Sequence, residues 1–190
     1  MKVEMINDKE QALRVILETA EWCRQKGIPL GDSWQDEERI ASALDAEEGD
    51  FFVFKKDGAI SGACILQDWD SCREWRKYRD GNRHYYITKF CVANGFHGTG
   101  ASGEMLNAIK EKAVKDGVKS VRLTAEEGLA PLYINNGFFP HWTFIGGKTG
   151  KIFVRMAWYR WTPDEFETVW RDAGRYSIRR IIYRFLKRIF

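Results

Sequence analysis

The 190-residue chain is 44% hydrophobic and 14% aromatic. That composition describes a globular domain able to bury roughly 70% of its unfolded surface and excludes a disordered or collagen-like chain. Its net charge of +3 is unevenly placed, because residues 171–190 hold seven basic residues against one acid and leave 23 basic and 26 acidic residues elsewhere.

The opening MKVEMINDKE has no apolar h-region, and no run is long enough to cross a bilayer. Cysteines at 23, 64, 72 and 91 form no C-x-x-C pair. A cytoplasmic protein with reduced thiols is the expectation. Residues 7–27 read as a helix capped by Asn7 or Asp8, with Leu13, Ile16, Leu17, Ala20 and Cys23 at helical spacing and Gly27 and Pro29 as its stop. Ser33, Asp36 and Glu37 begin a second helix through Leu44. Strands Asp50–Lys56 and Ala59–Gln67 flank Asp57-Gly58, a hairpin signal. Asp68–Asn82 is polar and reads as a long loop carrying Trp69, Trp75 and Tyr78.

Tyr85–Val92 is rich in β-branched and aromatic residues and predicts a strand. From Ser102 on, Met105, Leu106, Ile109 and Ala113 repeat at helical spacing. Lys119–Thr124 is a further strand, and Leu129–Asn136 a short helix with Pro131 in its first turn and Gly137 at its C-cap. Phe138–Ile145 and Lys151–Tyr159 form an antiparallel pair around Gly146, Gly147 and Gly150. Pro163 opens a last helical region. The order predicts a mixed α/β domain with one central sheet.

Between strand and helix lie Gly95, Gly98, Gly100 and Gly103, four glycines in nine residues. A helix opened this way aims unpaired N–H groups and a positive dipole end outward, which suits a phosphate or pyrophosphate. Gly98 to Gly103 satisfies G-x-G-x-x-G, the dinucleotide fingerprint, with Glu126 or Glu127 as the acid after the next strand. Against that reading, the turn falls mid-chain after an antiparallel hairpin, and a second βαβ half is missing.

The run from Tyr86 to Phe138 resembles the core of the GNAT superfamily of acyl-CoA-dependent N-acyltransferases. ITKFCVANGFHGTGASGEML is similar to the family's strand, pyrophosphate turn and helix, and SVRLTAEEGLAPLYINNGFF to its next strand and short helix ending in tyrosine. The upstream GAISGACIL, with a Trp-bearing loop before the central strand, fits as well. Together these pieces cover about half of the chain.

The resemblance implies a mostly antiparallel central sheet flanked by helices, and acetyl-CoA as acyl donor without a metal. It implies that the backbone of His97, Gly98, Thr99, Gly100, Ala101, Ser102 and Gly103 holds the pyrophosphate. Phe90, Cys91 and Val92 would offer main-chain groups to the pantetheine arm, and Tyr133 would stand near the leaving thiolate. Two positions depart from the family pattern. Gly95 or His97 occupies the place of an arginine or glutamine, and Glu126 that of an asparagine seven residues before the tyrosine. For the amine-side base, Glu126, Asp68, Asp70, His84 and a water chain remain open. The acceptor is a primary amine of a small molecule or peptide, with Trp69 and Trp75 as candidate pocket residues beside Trp22 and Trp34.

His84, His97 and His141 are dispersed and share no metal-ligand spacing with a cysteine. Cys91 reads as a small strand residue and not a nucleophile. The chain divides into residues 1–160, the acyltransferase-like domain, and 161–190, a basic amphipathic extension in which Ile178, Ile181, Ile182, Phe185, Leu186 and Ile189 share a face. Docking on its own domain or in a homodimer is the favoured use of that tail, ahead of an anionic membrane or nucleic acid. A non-catalytic acyl-CoA-binding module and a nucleotide-binding oxidoreductase fragment stand as rival functions.

Overall fold

The computed structural model describes residues 3–28, 49–68, 82–146 and 150–160. The expected helix from Ser33, the loop tryptophans Trp69 and Trp75, Trp34, Asp70 and the tail from 161 lie outside the described residues.

The chain opens with a strand the sequence pattern did not predict, β1 (Glu4–Asn7), which lies antiparallel on β2 (Asp50–Lys56). Helix α1 (Lys9–Gln25) therefore begins later than position 7. Asn7 belongs to the strand, and Asp8 is the cap, its carboxylate accepting from the Gln11 amide at 2.9 Å. Strands β2 (Asp50–Lys56) and β3 (Ala59–Gln67) form the expected hairpin, with φ of +54° at Asp57 and +80° at Gly58, the signs a type I′ turn needs.

Then follow β4 (His84–Val92), α2 (Ala101–Lys115), β5 (Ser120–Glu126), a 3₁₀ turn at Glu127–Leu129, α3 (Ala130–Asn135), β6 (Phe139–Ile145) and β7 (Ile152–Tyr159). The sheet order is β1-β2-β3-β4-β5-β7-β6. All pairs are antiparallel except β4–β5. One parallel pair in seven strands is not the doubly wound sheet of a dinucleotide fold, so the oxidoreductase reading loses its scaffold.

Two helices cover opposite faces. Ala12, Val15, Ile16 and Ala20 of α1 pack on Phe51, Val53, Ala63, Ile65 and Cys91. Met105, Leu106, Ile109 and Ala113 of α2 pack on the other face with Phe54, Leu66, Ile87, Leu123 and Met156. Burying each of these large side chains stabilises the fold by about 1.5–3 kcal/mol. At Gly62 a Cβ would lie 2.3 Å from the Cys91 carbonyl and 2.5 Å from Met105 Cε, so only glycine lets helix and strands approach this closely. No helix among the described residues is long and apolar enough to cross a membrane.

Candidate active site

The parallel pair is short. His84 to Ile87 of β4 match Ser120 to Leu123 of β5, and there the pairing ends. Beyond Ile87, β5 stays registered on β7 as far as Glu126, and β4 stays on β3. The two central strands therefore part, with their register ending at Ile87 and Leu123. A bulge accompanies the parting: Ala63 pairs with Cys91 but Ile65 with Thr88, which puts an extra residue into β4, and Lys89 takes φ +48°. The outcome is a cleft between β4 and β5 at the C-terminal end of the sheet's one parallel pair.

Phe90, Cys91 and Val92 all lie on that wall. Phe90 and Val92 pack toward the α2 core, while Cys91 points toward α1. Burial pushes the Cys91 thiol up to about 12, partly opposed by hydrogen bonds from the Thr19 side chain and the Ala63 backbone. Cys91 therefore stays protonated and does not serve as a nucleophile.

The glycine turn closes one end of the cleft. Gly98 and Gly100 adopt φ +77° and +82°, and a Cβ on either would meet nothing within 4 Å. These glycines are thus required by backbone conformation, and the space over them is open. The Thr99 amide is used within the turn, donating to Phe96 O at 3.3 Å. No acceptor among the described residues takes the amides of His97, Gly98, Gly100, Ala101 or Ser102. These amides and the N-terminus of α2 make a cradle for an anion. The acid in the first turn of α2, Glu104, is neutralised by Lys56 Nζ at 2.7 Å. Gly103 also faces Asn136, whose Oδ1 would stand 3.1 Å from a Cβ, so it sets the approach of α2 to the end of α3.

Trp22, in the last turn of α1, stacks on His97 with centroids 4.6 Å apart and planes at 12°. Helix α1 thereby holds the turn from the side, next to an open groove of about 430 Å³ lined by Leu17, Glu18 and Asn94 among others. The sequence reading set Trp22 among acceptor-pocket candidates. In the structure it stacks on His97 of the glycine turn.

Tyr133 comes from α3 on the far wall. Its ring lies 6.3 Å from Phe90 and 5.8 Å from Phe138, and it is 7% exposed. Burial drives its phenol pKa well above the ordinary value, with the Cys64 thiol adding to the shift. No described residue hydrogen-bonds its hydroxyl, which is not a sealed, unpaired buried group either. Burial thus keeps this phenol protonated across the working pH range.

Glu126 ends β5 on the α1 side of the sheet. Its Oε1 accepts from Lys151 Nζ at 2.8 Å, and Oε2 has no donor among the described residues. The other basic candidates sit elsewhere. Asp68 is 63% exposed and lies 3.9 Å from Arg83 at the opposite end of β3. His84 begins β4, four residues before the strands part, where its Nδ1 meets Ser120 Oγ at 2.7 Å and Arg122 Nη2 lies 3.2 Å from its Nε2. His97 stands in the turn, and His141 pairs with Tyr159 on β7.

The sequence model of the acetyltransferase (GNAT) family matches residues 14–138. No curated protein matches the chain. Among solved structures, AAC(6')-Ib in complex with paromomycin and acetyl-CoA superposes with a TM-score of 0.63 at 18% identity, over 84% of this chain and 94% of that one. A putative acetyltransferase from Salmonella typhimurium with its cofactor acetyl-CoA gives 0.59 at 16% identity, over 85% and 96%. Ribosomal-protein-alanine N-acetyltransferase from Brucella melitensis gives 0.59 at 17%, over 82% and 99%.

Proposed function

Because this chain belongs to the acetyltransferase (GNAT) family and is an acyltransferase, we propose that it transfers an acetyl group from acetyl-CoA directly to a primary amine. The observation that carries the reading is the parting of β4 and β5 beside a turn with unpaired amides, with Tyr133 on the opposite wall. Acetyl-CoA as substrate supplies a thioester carbonyl and a thiolate leaving group.

The chain's residues divide the remaining work. Amides of the turn and the α2 N-terminus hold the pyrophosphate, and the main chain of Phe90, Cys91 and Val92 takes the amides of the pantetheine arm as an added strand would. The Tyr133 hydroxyl gives its proton to the departing sulfur as the C–S bond breaks. Glu126 Oε2 takes the proton the amine sheds as the C–N bond forms, directly or through a water. This order needs no covalent enzyme intermediate, which agrees with the buried, protonated state of Cys91.

Calorimetric titration with acetyl-CoA and with NAD tests the first half, and CoA release with an amine panel, corrected for hydrolysis, tests the second. Acetyl-CoA binds and NAD does not. Gly100→Asp places a carboxylate over the cradle, so affinity for acetyl-CoA collapses while the circular dichroism of the fold persists. Near-wild-type affinity in that variant moves the cofactor site elsewhere. Binding without turnover on any amine leaves a non-catalytic acyl-CoA-binding module.

A further inference from the structure

Helix α3 has only six residues, yet it carries Tyr133. No described residue hydrogen-bonds the Tyr133 hydroxyl, so the phenol stands where the helix puts it. A helix this short is marginal by itself and takes its place from its neighbours. Its C-terminal end is closely tied. Asn136 Nδ2 donates to Leu132 O at 2.8 Å, the amides of Asn136 and Phe138 both donate to Tyr133 O at 3.0 Å, and the Gly137 amide donates to Ile134 O at 2.9 Å. These bonds satisfy carbonyls that a helix leaves open at its end.

Asn136 also meets α2 twice. Its Oδ1 stands over Gly103 in the first turn of α2, where a Cβ would come within 3.1 Å of it. Its main-chain oxygen accepts from Lys110 Nζ at 3.1 Å. Gly103 and Lys110 are seven residues apart and so share one face of α2. Helical side chains tilt toward the N-terminus, which carries the Lys110 ammonium back to the residue that Gly103 already faces. Burial lowers the Lys110 pKa from its ordinary value, a sign that the ammonium is partly withdrawn from water. Its bond to a carbonyl at the negative end of α3 is stronger there than on an open surface.

We propose that Lys110 and Asn136 are positioning residues that hold Tyr133 at a fixed distance from the glycine turn. The proposal rests on the acetyl-transfer reading with Tyr133 as proton donor, and names the residues that set the donor's reach. The N-terminus of α2 opens on the turn, and the same helix fixes the end of α3 through Gly103 and Lys110. The span from pyrophosphate to phenol is therefore set by the contact between two helices. Acetyl-CoA anchored at the turn brings its sulfur to the hydroxyl when that spacing is kept. Misplacing a reacting group by about 1 Å costs on the order of 10²-fold in rate. Binding at the turn does not need the latch, because the backbone from His97 to Gly103 makes it.

Lys110→Met keeps the side-chain stem and removes the ammonium. With an acceptor from the amine panel, kcat falls by roughly 10-fold while the calorimetric affinity for acetyl-CoA holds within about 2-fold. Lys110→Arg keeps a charged donor and recovers most of the rate. Asn136→Ala lowers kcat in the same sense. All variants are compared well below their thermal midpoints, so unfolding does not enter. The deciding measurement is a double-mutant cycle. In the Tyr133→Phe background, Lys110→Met changes kcat by less than about 2-fold, because no phenolic proton is left to place. An unchanged kcat in Lys110→Met, a loss repeated in full in the Tyr133→Phe background, or a weakened acetyl-CoA affinity with kcat held overturns the proposal and leaves Tyr133 as donor. A wild-type kcat in Tyr133→Phe alone removes the donor, and this proposal with it.

Discussion

Tyr133 and His141 show how burial sets chemistry one side chain at a time. The thiolate of CoA leaves as a base stronger than water at neutral pH, so a donor must hold its proton across the working range. Burial raises the Tyr133 pKa, which secures that state and rules the phenol out as a base. Tyr133→Phe keeps the ring contacts with Phe90 and Phe138 and removes only the hydroxyl. Acetyl-CoA binding is then nearly unchanged while kcat falls by about 10²–10⁴-fold, as for a lost general acid. An unchanged kcat with a good acceptor would make Tyr133 a packing residue. His141 titrates in the opposite sense. Burial, assisted by the Arg122 charge, lowers its pKa to about 4 from 6.5. The neutral ring is the form that folds, so the unfolded chain binds the extra proton between those values. Stability is complete above pH 6.5 and declines as pH falls toward 4, by on the order of 2–3 kcal/mol. His141→Gln flattens that part of the melting-temperature profile. A mutant profile as steep as wild type would assign the acid sensitivity to another group.

At the scale of elements, the strand–turn–helix was legible in the sequence because each part carries its own local signal. β4 has its aromatic and β-branched run, the turn its glycines, and α2 its Met105–Leu106–Ile109–Ala113 spacing. What could not be read there depends on register or on distant contacts. The four residues of β1 are too few for a period, and they form a strand only because β2 lies beside them. The bulge at Lys89 exists only as a mismatch between β3 and β4, and the parting of β4 from β5 only as a pairing that stops. Glu126 and Tyr133 were singled out by resemblance, whereas the Lys151–Glu126 ion pair and the Phe144–Phe153 stack were not legible, since nothing in a lone hairpin says which strand it will flank. The stack of Trp22 on His97 is likewise invisible across 75 residues of chain. It yields a test of α1 as support for the turn. Trp22→Ala removes the surface on which His97 rests, so KM for acetyl-CoA rises by about 3–10-fold with kcat held, the scale of about 1 kcal/mol from one aromatic contact. Trp22→Phe retains most of the affinity. An unchanged KM in the alanine variant would mean that the turn orders itself.

For the whole molecule, the seven strands of the described sheet and the two helices that cover it run from Glu4 to Tyr159. Residues 171–190 carry the basic excess, against a remainder that is mildly acidic. The sign difference between the two parts makes association of the tail with its own body, or with a second copy, the electrostatically favoured outcome, and one weakened by salt. The apolar stripe from Ile178 to Ile189 adds a contribution that salt does not weaken, about 25 cal/mol per Å² of area it covers. Deleting 171–190 therefore lowers the thermal midpoint by several degrees or shifts the sedimentation profile to a smaller species, with a loss larger at 50 mM than at 500 mM salt. Acetyl-CoA binding persists in the truncated protein, because every residue assigned to the cradle lies between His97 and Gly103. A truncated chain with unchanged midpoint and sedimentation, but without wild-type binding to anionic vesicles or nucleic acid, would instead assign the tail to an external surface.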